Sequence, residues 1–302
     1  MRGVKYMIDA NSTTENFTRR ALWAQIDLDA AAHNMRVIRR HVGPDVRIAS
    51  VVKANAYGHG AVELARVFAE NGADCFAVSS LDEGVELRRY AGITKDIFIL
   101  GHTDGRRTEE LLAYHIEPAV FNLKNAEYYS EEASRLGQTL QVHIAIDSGM
   151  SRVGFLPNEE TIEAIKKIAS LPRIEIRGIF THFATADEKN KTFTHEQFKR
   201  FMWVCTRLEN EGVHIPIRHC CNSAATLEMP AYHLDMVRPG IIQYGCEPSS
   251  DVPMEKFEFR PVMSLRCCAA HIKLIDKGAT VSYGRHFTCD QRRKIAVLPV
   301  GY

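Results

Sequence analysis

Five short segments carry side chains that could act together on a phosphorylated carbonyl compound. They are Val51-Val52-Lys53-Ala-Asn-Ala-Tyr57-Gly58-His-Gly60, Asp147-Ser-Gly-Met-Ser-Arg152-Val-Gly154, Thr181-His182-Phe183, Asn222-Ser223-Ala224-Ala225 and Val237-Arg238-Pro239-Gly240-Ile241. A lysine amine in its free-base form can attack a carbonyl and hold it as a Schiff base. Asn222-Ser223 ahead of two small residues leaves backbone N–H groups open at a helix start, and Gly240 lets a second backbone come close, which together make a place for a phosphate. Lys53, Arg152 and Arg238 make the set cationic. Pyridoxal phosphate and a sugar phosphate both fit such a constellation.

Singly, each group has a plain structural explanation. A lysine ending a strand is usually a solvated charge, and a lone histidine such as His182 is more often structural than catalytic. Asn222-Ser223 can be an ordinary helix cap, and Tyr57 can simply close over a rim. Their joint occurrence at five separate strand ends is what argues for a site.

The elements that must position them are legible from the hydrophobic pattern. Short β-rich apolar runs fall near residues 47–53, 73–79, 97–101, 116–121, 140–147, 174–182, 217–222 and 235–244. Between them lie segments of helical period, such as Ala61, Leu64, Ala65 and Phe68, or Phe198, Phe201, Met202, Cys205 and Leu208. Thr194-His-Glu-Gln197 reads as a capping box ahead of the second of these, and Asn158 with Glu159 and Glu160 opens the helix carrying Ile162, Ile165 and Ile168. Eight strand–helix units in about 220 residues predict an α/β fold of the (β/α)8 barrel type, whose chemistry sits at the carboxyl ends of its strands.

From Phe257 onward the texture turns strand-like with short turns, at residues 261–275, 279–283 and 294–299. The expected division is a loose extension over 1–22, a barrel over 23–256, and the start of a β-rich domain over 257–302. With only three or four strands that last piece is thin for a sheet that must bury one face.

Composition narrows the partners. In 302 residues, 38 Lys and Arg stand against 37 Asp and Glu, a formal charge of +1, so no basic field exists to hold nucleic acid or an anionic membrane. No apolar run approaches the roughly 20 residues of a bilayer crossing, and the first 20 residues place polar NSTTEN where a secretory signal puts its apolar stretch. A cytoplasmic protein is expected. The eight cysteines include no C-x-x-C, so they are expected to be reduced thiols without a metal.

In these residues the chain resembles the alanine racemases, the barrel-type (fold-type III) pyridoxal-phosphate enzymes. Residues 51–60 are similar to the family's cofactor-lysine signature, and the likeness continues through 147–154, 181–187, 222–225, 237–245, 281–284 and 298–302. The resemblance implies pyridoxal 5'-phosphate bound through Lys53, with Tyr57, Ser223, Gly240 and Ile241 on the phosphate. It implies Arg238 at the pyridine nitrogen, and His182 and Asn222 in the supporting hydrogen bonds. Arg152 would meet the cofactor's phenolic oxygen and the substrate carboxylate. Tyr283 would enter the active site of the other subunit, which makes a homodimer. The implied activity is interconversion of L- and D-alanine, supplying D-alanine for cell-wall peptidoglycan.

Those roles are chemically coherent. Racemisation needs a base on each face of Cα, and Lys53 and Tyr283 would be the two. A tyrosine hydroxyl ionises near ~10, so it needs cationic neighbours to serve near neutrality. A guanidinium at the ring nitrogen does not readily give up a proton and leaves the ring a weak electron sink. Other readings are a non-catalytic carrier of the cofactor, to which a second base would be useless, and a serine or broad-specificity racemase. Amino-acid decarboxylases share the lysine logic, but their acidic and cysteine-bearing loops find no counterpart.

Two departures from the family pattern stand out. Seven residues before Arg152, where many members carry a carbamylated lysine that orients the arginine, this chain has Ala145, so chloride or another anion, or a looser arginine, is expected. At Gly301-Tyr302 the family pattern runs on into β structure with a substrate-binding backbone group and another phosphate-binding tyrosine. A chain of this length is expected to fold its second domain weakly and to turn over poorly.

Overall fold

The computed structural model describes residues 21–301, so the expected extension lies outside the described residues up to position 20. Contacts divide the chain into two units. One runs Leu28–Val262, and the other joins the segment up to Asp27 to the chain from Met263 on.

In the Leu28–Val262 unit the apolar runs become parallel strands: Arg47–Val51, Cys75–Val78, Ile97–Ile99, Leu140–Ala145, Ile174–Phe180, Ile217–His219 and Met236–Val237. The fourth strand comes in two pieces, Ile116–Glu117 and Ala119–Val120, because Pro118 between them has no N–H for the ladder. Pairing is parallel throughout. The last strand pairs with the first, and Asp235 N–H to Arg218 O (3.1 Å) with Arg238 N–H to Cys221 O (2.9 Å) joins it to the seventh. The eight expected strands thus close into the expected barrel. Cys75–Val78 and Ile97–Ile99 are buried on every residue, as strands covered on both faces must be.

Helices follow the strands. Ala61–Asn71 buries Ala61, Leu64, Ala65 and Phe68, the four residues its period singles out, each large side chain contributing roughly 1.5–3 kcal/mol. Asn158 caps Glu159–Ser170 by accepting the Thr161 N–H.

Two local expectations are corrected. Thr194-His-Glu-Gln197 is not a capping box, because the helix runs Thr192–Asn210 and both side chains are buried inside it. Thr194 bonds the Thr185 hydroxyl, while Gln197 accepts the Ala184 N–H and donates to His182 O, so they anchor the loop after the sixth strand. The run 235–244 is strand only at Met236–Val237. Beyond Gly240 it turns into the single 3-10 turn Ile241–Tyr244.

The other unit begins earlier in the sequence than the expected boundary. Leu22–Ile26 pairs antiparallel with Met263–Cys267, so it is not a barrel strand. His271–Ile275 pairs with Arg293–Val297, and Thr280–Val281 with Phe287–Thr288. Among the described residues that is six strands: five follow the barrel where three or four were expected, because the later runs break into short paired pieces, and a strand preceding the barrel joins them. Tyr283, expected at the end of a strand, lies instead in the turn Tyr283–Arg285, flanked by positive φ at Ser282, Gly284 and Arg285.

Candidate active site

Lys53 follows directly on the buried end of the first barrel strand. That end is pinned at Val51 O, which accepts from Gln243 Nε2 (2.7 Å) and the Tyr244 hydroxyl (2.8 Å), while Ser50 donates to Gln243 Oε1 (2.8 Å). The next four residues, Ala54, Asn55, Ala56 and Tyr57, all have φ between 52° and 54°. They form a left-handed turn closed by Ala56 N–H to Val52 O (2.9 Å) and Gly58 N–H to Ala54 O (3.0 Å). Side chains in this region cost about 1–2 kcal/mol each. Glu83 accepts the Ala54 N–H, Asn55 Oδ1 accepts the Ala61 N–H at the next helix, and Ala56 is fully buried. The strain brings the Tyr57 ring back within 5.9 Å of Lys53 Nζ.

The far side of the same rim is built for an anion. Ser223 Oγ accepts the Gly240 N–H (2.9 Å). A Cβ on Gly240 would stand 2.8 Å from the Tyr57 hydroxyl and 3.8 Å from Ser223 Oγ, so three groups face one gap that only a glycine leaves open. Burial raises the Tyr57 pKa, keeping it a phenol that can donate to a phosphate oxygen. Gly240→Ala is expected to weaken binding of a phosphate-bearing ligand in this gap by about tenfold, or ~1.4 kcal/mol, with the melting temperature little changed. Titration of the apoprotein measures this.

Arg152 is placed by its backbone. Asp147 accepts the N–H groups of Gly149 (3.0 Å), Ser151 (2.9 Å) and Arg152 (2.8 Å), which curls the loop upon itself. Gly154, with φ +131°, lies against the backbone of Ile146 and Asp147 where a Cβ could not. The Arg152 side chain is exposed. No hydrogen bond or ion pair engages its guanidinium among the described residues. Ala145 is 1 % exposed and clusters with Ala119 and Phe180, against which Leu100 and Phe121 pack, so the place where the resemblance implies a lysine is filled with carbon.

Charge is concentrated at the centre. Arg238, 3 % exposed, donates to Thr181 O (2.7 Å) and His219 Nδ1 (2.9 Å) and reaches His182 Nδ1 at 3.4 Å. Its burial pulls its pKa down to about 10. His182 is held at about 3 by burial and by Arg238, Arg152 and Lys53, so it is neutral and a poor proton acceptor at physiological pH. Lys53 is lowered by burial, with Arg152 and Arg238 adding to the effect.

One cavity of about 290 Å³ is lined by Lys53, Tyr57, His182, Asn222, Ser223, Arg238, Gly240 and Ile241. A second of about 220 Å³ is lined by Arg152 together with Lys53 and His182. Asn222 is there, but its side chain is spent: Oδ1 caps the helix Ser223–Glu228 at the Ala225 N–H, and Nδ2 points to Phe183 O at 3.4 Å. Tyr283 belongs to the other unit and is 92 % exposed. Sequence reasoning missed Gln243, Tyr244, Asp147, Glu83 and the histidines beneath Arg238. A polar residue inside an apolar strand, as in Leu140–Ala145 with His143, was the available signal.

Comparison with known proteins follows this geometry. Residues 26–248 match the family "Alanine racemase, N-terminal domain" and residues 262–302 match "Alanine racemase, C-terminal domain", so the second family domain is represented rather than missing. An alanine racemase of Clostridium tetani is 48 % identical over 94 % of this chain and 73 % of its own length. The solved alanine racemase of Clostridium difficile 630 aligns with a TM-score of 0.87 at 41 % identity, covering 94 % of this chain and 74 % of that one. The alanine racemase of Streptomyces lavendulae aligns at 0.86 and 34 % identity, covering 93 % and 74 %.

Proposed function

The chain belongs to the alanine racemase family, pyridoxal-5'-phosphate-dependent isomerases that interconvert L- and D-alanine, and from that premise we propose which of its residues do the work and how the enzyme is assembled. When bound, the cofactor supplies an electron sink that acidifies the Cα proton of alanine. Tyr57, Ser223 and the Ile241 N–H hold the phosphate, with Gly240 lending its N–H to Ser223 and leaving the room beside them, and the gap at Gly240 supports this assignment. Arg238 faces the pyridine nitrogen as a donor that keeps its protons, with His182 beside it as a neutral ring. Asn222 serves by capping the helix that presents Ser223. Arg152 receives the substrate carboxylate, and a guanidinium without hydrogen-bond or ion-pair partners among the described residues is available for that.

Lys53 holds the cofactor and takes or returns a proton on one face of Cα. Its lowered pKa supports attachment and proton removal, which need the free amine, and the ammonium so formed is the species that returns the proton. The other face needs a second base. His182 is unsuited, being held at about 3, and we take Tyr283 of a second subunit, as the likeness to the family implies, for the second base of a homodimer with shared sites. Among the described residues no helix is long and apolar enough to cross a membrane, and we place the enzyme in the cytoplasm, where D-alanine enters cell-wall synthesis.

The observation that carries this reading is the meeting of Lys53, Arg238 and the Tyr57–Ser223–Gly240 gap around one cavity. Incubation of the holoenzyme with L-alanine in deuterium oxide is expected to give deuterium at Cα with inversion. Exchange without inversion would remove the second base, loss of the carboxylate would indicate a decarboxylase, and no exchange would indicate a carrier. Running serine in parallel sets the substrate preference.

A further inference from the structure

We propose that Glu117, in the fourth barrel strand, is a positioning residue for Arg238 and acts on it through His143 and His219 as a hydrogen-bond chain of fixed polarity. Arg238 Nη1 lies 2.9 Å from His219 Nδ1, His219 Nε2 lies 3.0 Å from His143 Nδ1, and His143 Nε2 lies 2.7 Å from Glu117 Oε2. All four side chains are buried, at 3 %, 0 %, 2 % and 6 % exposure.

A guanidinium only donates. His219 Nδ1 must therefore accept, which puts its proton on Nε2. That N–H donates to His143 Nδ1, so the His143 proton is also on Nε2 and is donated to Glu117. Each tautomer follows from the one before, and the chain ends on the group that accepts best. The low pKa of His219, caused by burial and then by Arg238, agrees with a neutral link.

The surroundings are shaped to this chain. Phe98 stacks on His143 (4.8 Å, 14°) and Phe180 on His219 (5.1 Å, 22°), while Phe180 also lies 5.5 Å under the Arg238 guanidinium. The strand register shifts between Val142 and His143, and opposite it Gly178 leaves the space that the His143 ring fills, where a Cβ would overlap it. A buried guanidinium without a connected anion is costly. Glu117 supplies that anion from two rings away, so that among the described residues no carboxylate bonds Arg238 directly and none stands by it to carry a proton to the pyridine nitrogen.

The inference rests on Arg238 facing that nitrogen, and the test separates the two. In the apoprotein labelled with ¹⁵N-histidine, His143 and His219 are expected to be neutral with the proton on Nε2. Glu117→Gln is expected to shift the His219 and Arg238 side-chain resonances. It either removes the terminal charge or lets the amide donate, which reverses the chain and sets two donors against each other at Arg238. In the holoenzyme it is expected to lower kcat by about ten- to a hundredfold with KM nearly unchanged, and to move the ring-nitrogen resonance of ¹⁵N-pyridoxal phosphate. Glu117→Asp is expected to restore part of each.

A proton on Nδ1 of either histidine in the wild type overturns the chain, and this holds even if the variant fails to fold. Unmoved His219 and Arg238 resonances in Glu117→Gln overturn it as well. Shifted protein resonances with an unmoved cofactor nitrogen uphold the chain and overturn the placement of Arg238 at that nitrogen.

Discussion

Replacing Lys53 with alanine is expected to lower racemisation of both enantiomers by about 10⁴-fold, because it removes a proton-transfer group and the cofactor's attachment at once. Borohydride reduction of the wild-type holoenzyme followed by peptide mapping should place the label on Lys53. Label on any other lysine would remove the mechanism. The pH dependence follows from the same burial. Because the Lys53 pKa is lowered, the free amine persists below the ordinary lysine range, and the rate at which the apoprotein takes up pyridoxal phosphate is expected to fall on acidification only as pH passes that lowered value.

The stability consequence has the opposite benefit. A lysine whose folded pKa lies below its unfolded one costs nothing above the unfolded value of about 10.4, and its penalty grows as pH falls from there to the folded value and is complete below it. Apo Lys53→Met should therefore melt above the wild-type apoprotein at pH 7, with the difference shrinking toward pH 10.5. A wild-type apoprotein that melts higher at pH 7 would show the amine to be stabilised by its site.

Tyr283→Phe is expected to cost about 10²- to 10⁴-fold in racemisation, the span of one general acid–base group. It should leave solvent exchange at Cα, without inversion, for the enantiomer whose hydrogen faces Lys53. Mixing Lys53→Ala with Tyr283→Phe after subunit exchange tests the shared site. With random pairing half of the dimers are mixed and each carries one site with both bases, so activity should return to about a quarter of wild type. If both bases come from one chain, the mixture stays inactive.

Some of this protein is readable residue by residue. The barrel strands, the buried stripe Ala61, Leu64, Ala65 and Phe68, and the Asn158 cap follow from periods and caps that act over a few neighbours. Lys53, Tyr57, Ser223, Arg238 and Gly240 were legible because barrel topology gathers strand ends at one rim, so knowing where each strand stops says which residues meet there. The buried Thr194 and Gln197 were misread because a local cap pattern was outweighed by what the side chains could reach in the loop at 182–185.

The segments' order and a rim able to hold a phosphorylated carbonyl compound were thus determined by the chain on its own, since each rests on short-range pattern, while the cofactor and the family were implied by the resemblance of those segments to the alanine racemases. Only the tertiary structure decided that Leu22–Ile26 pairs with Met263–Cys267 from the distant end of the sequence, that four residues after Lys53 turn left-handed, and that Arg238 is tied to Glu117. The links from Arg238 to His219, His143 and Glu117 span 19, 76 and 26 residues. No local rule relates such positions; they meet because strands far apart in sequence are brought side by side when the cylinder closes, and because a buried cation must then find its partner across the interior.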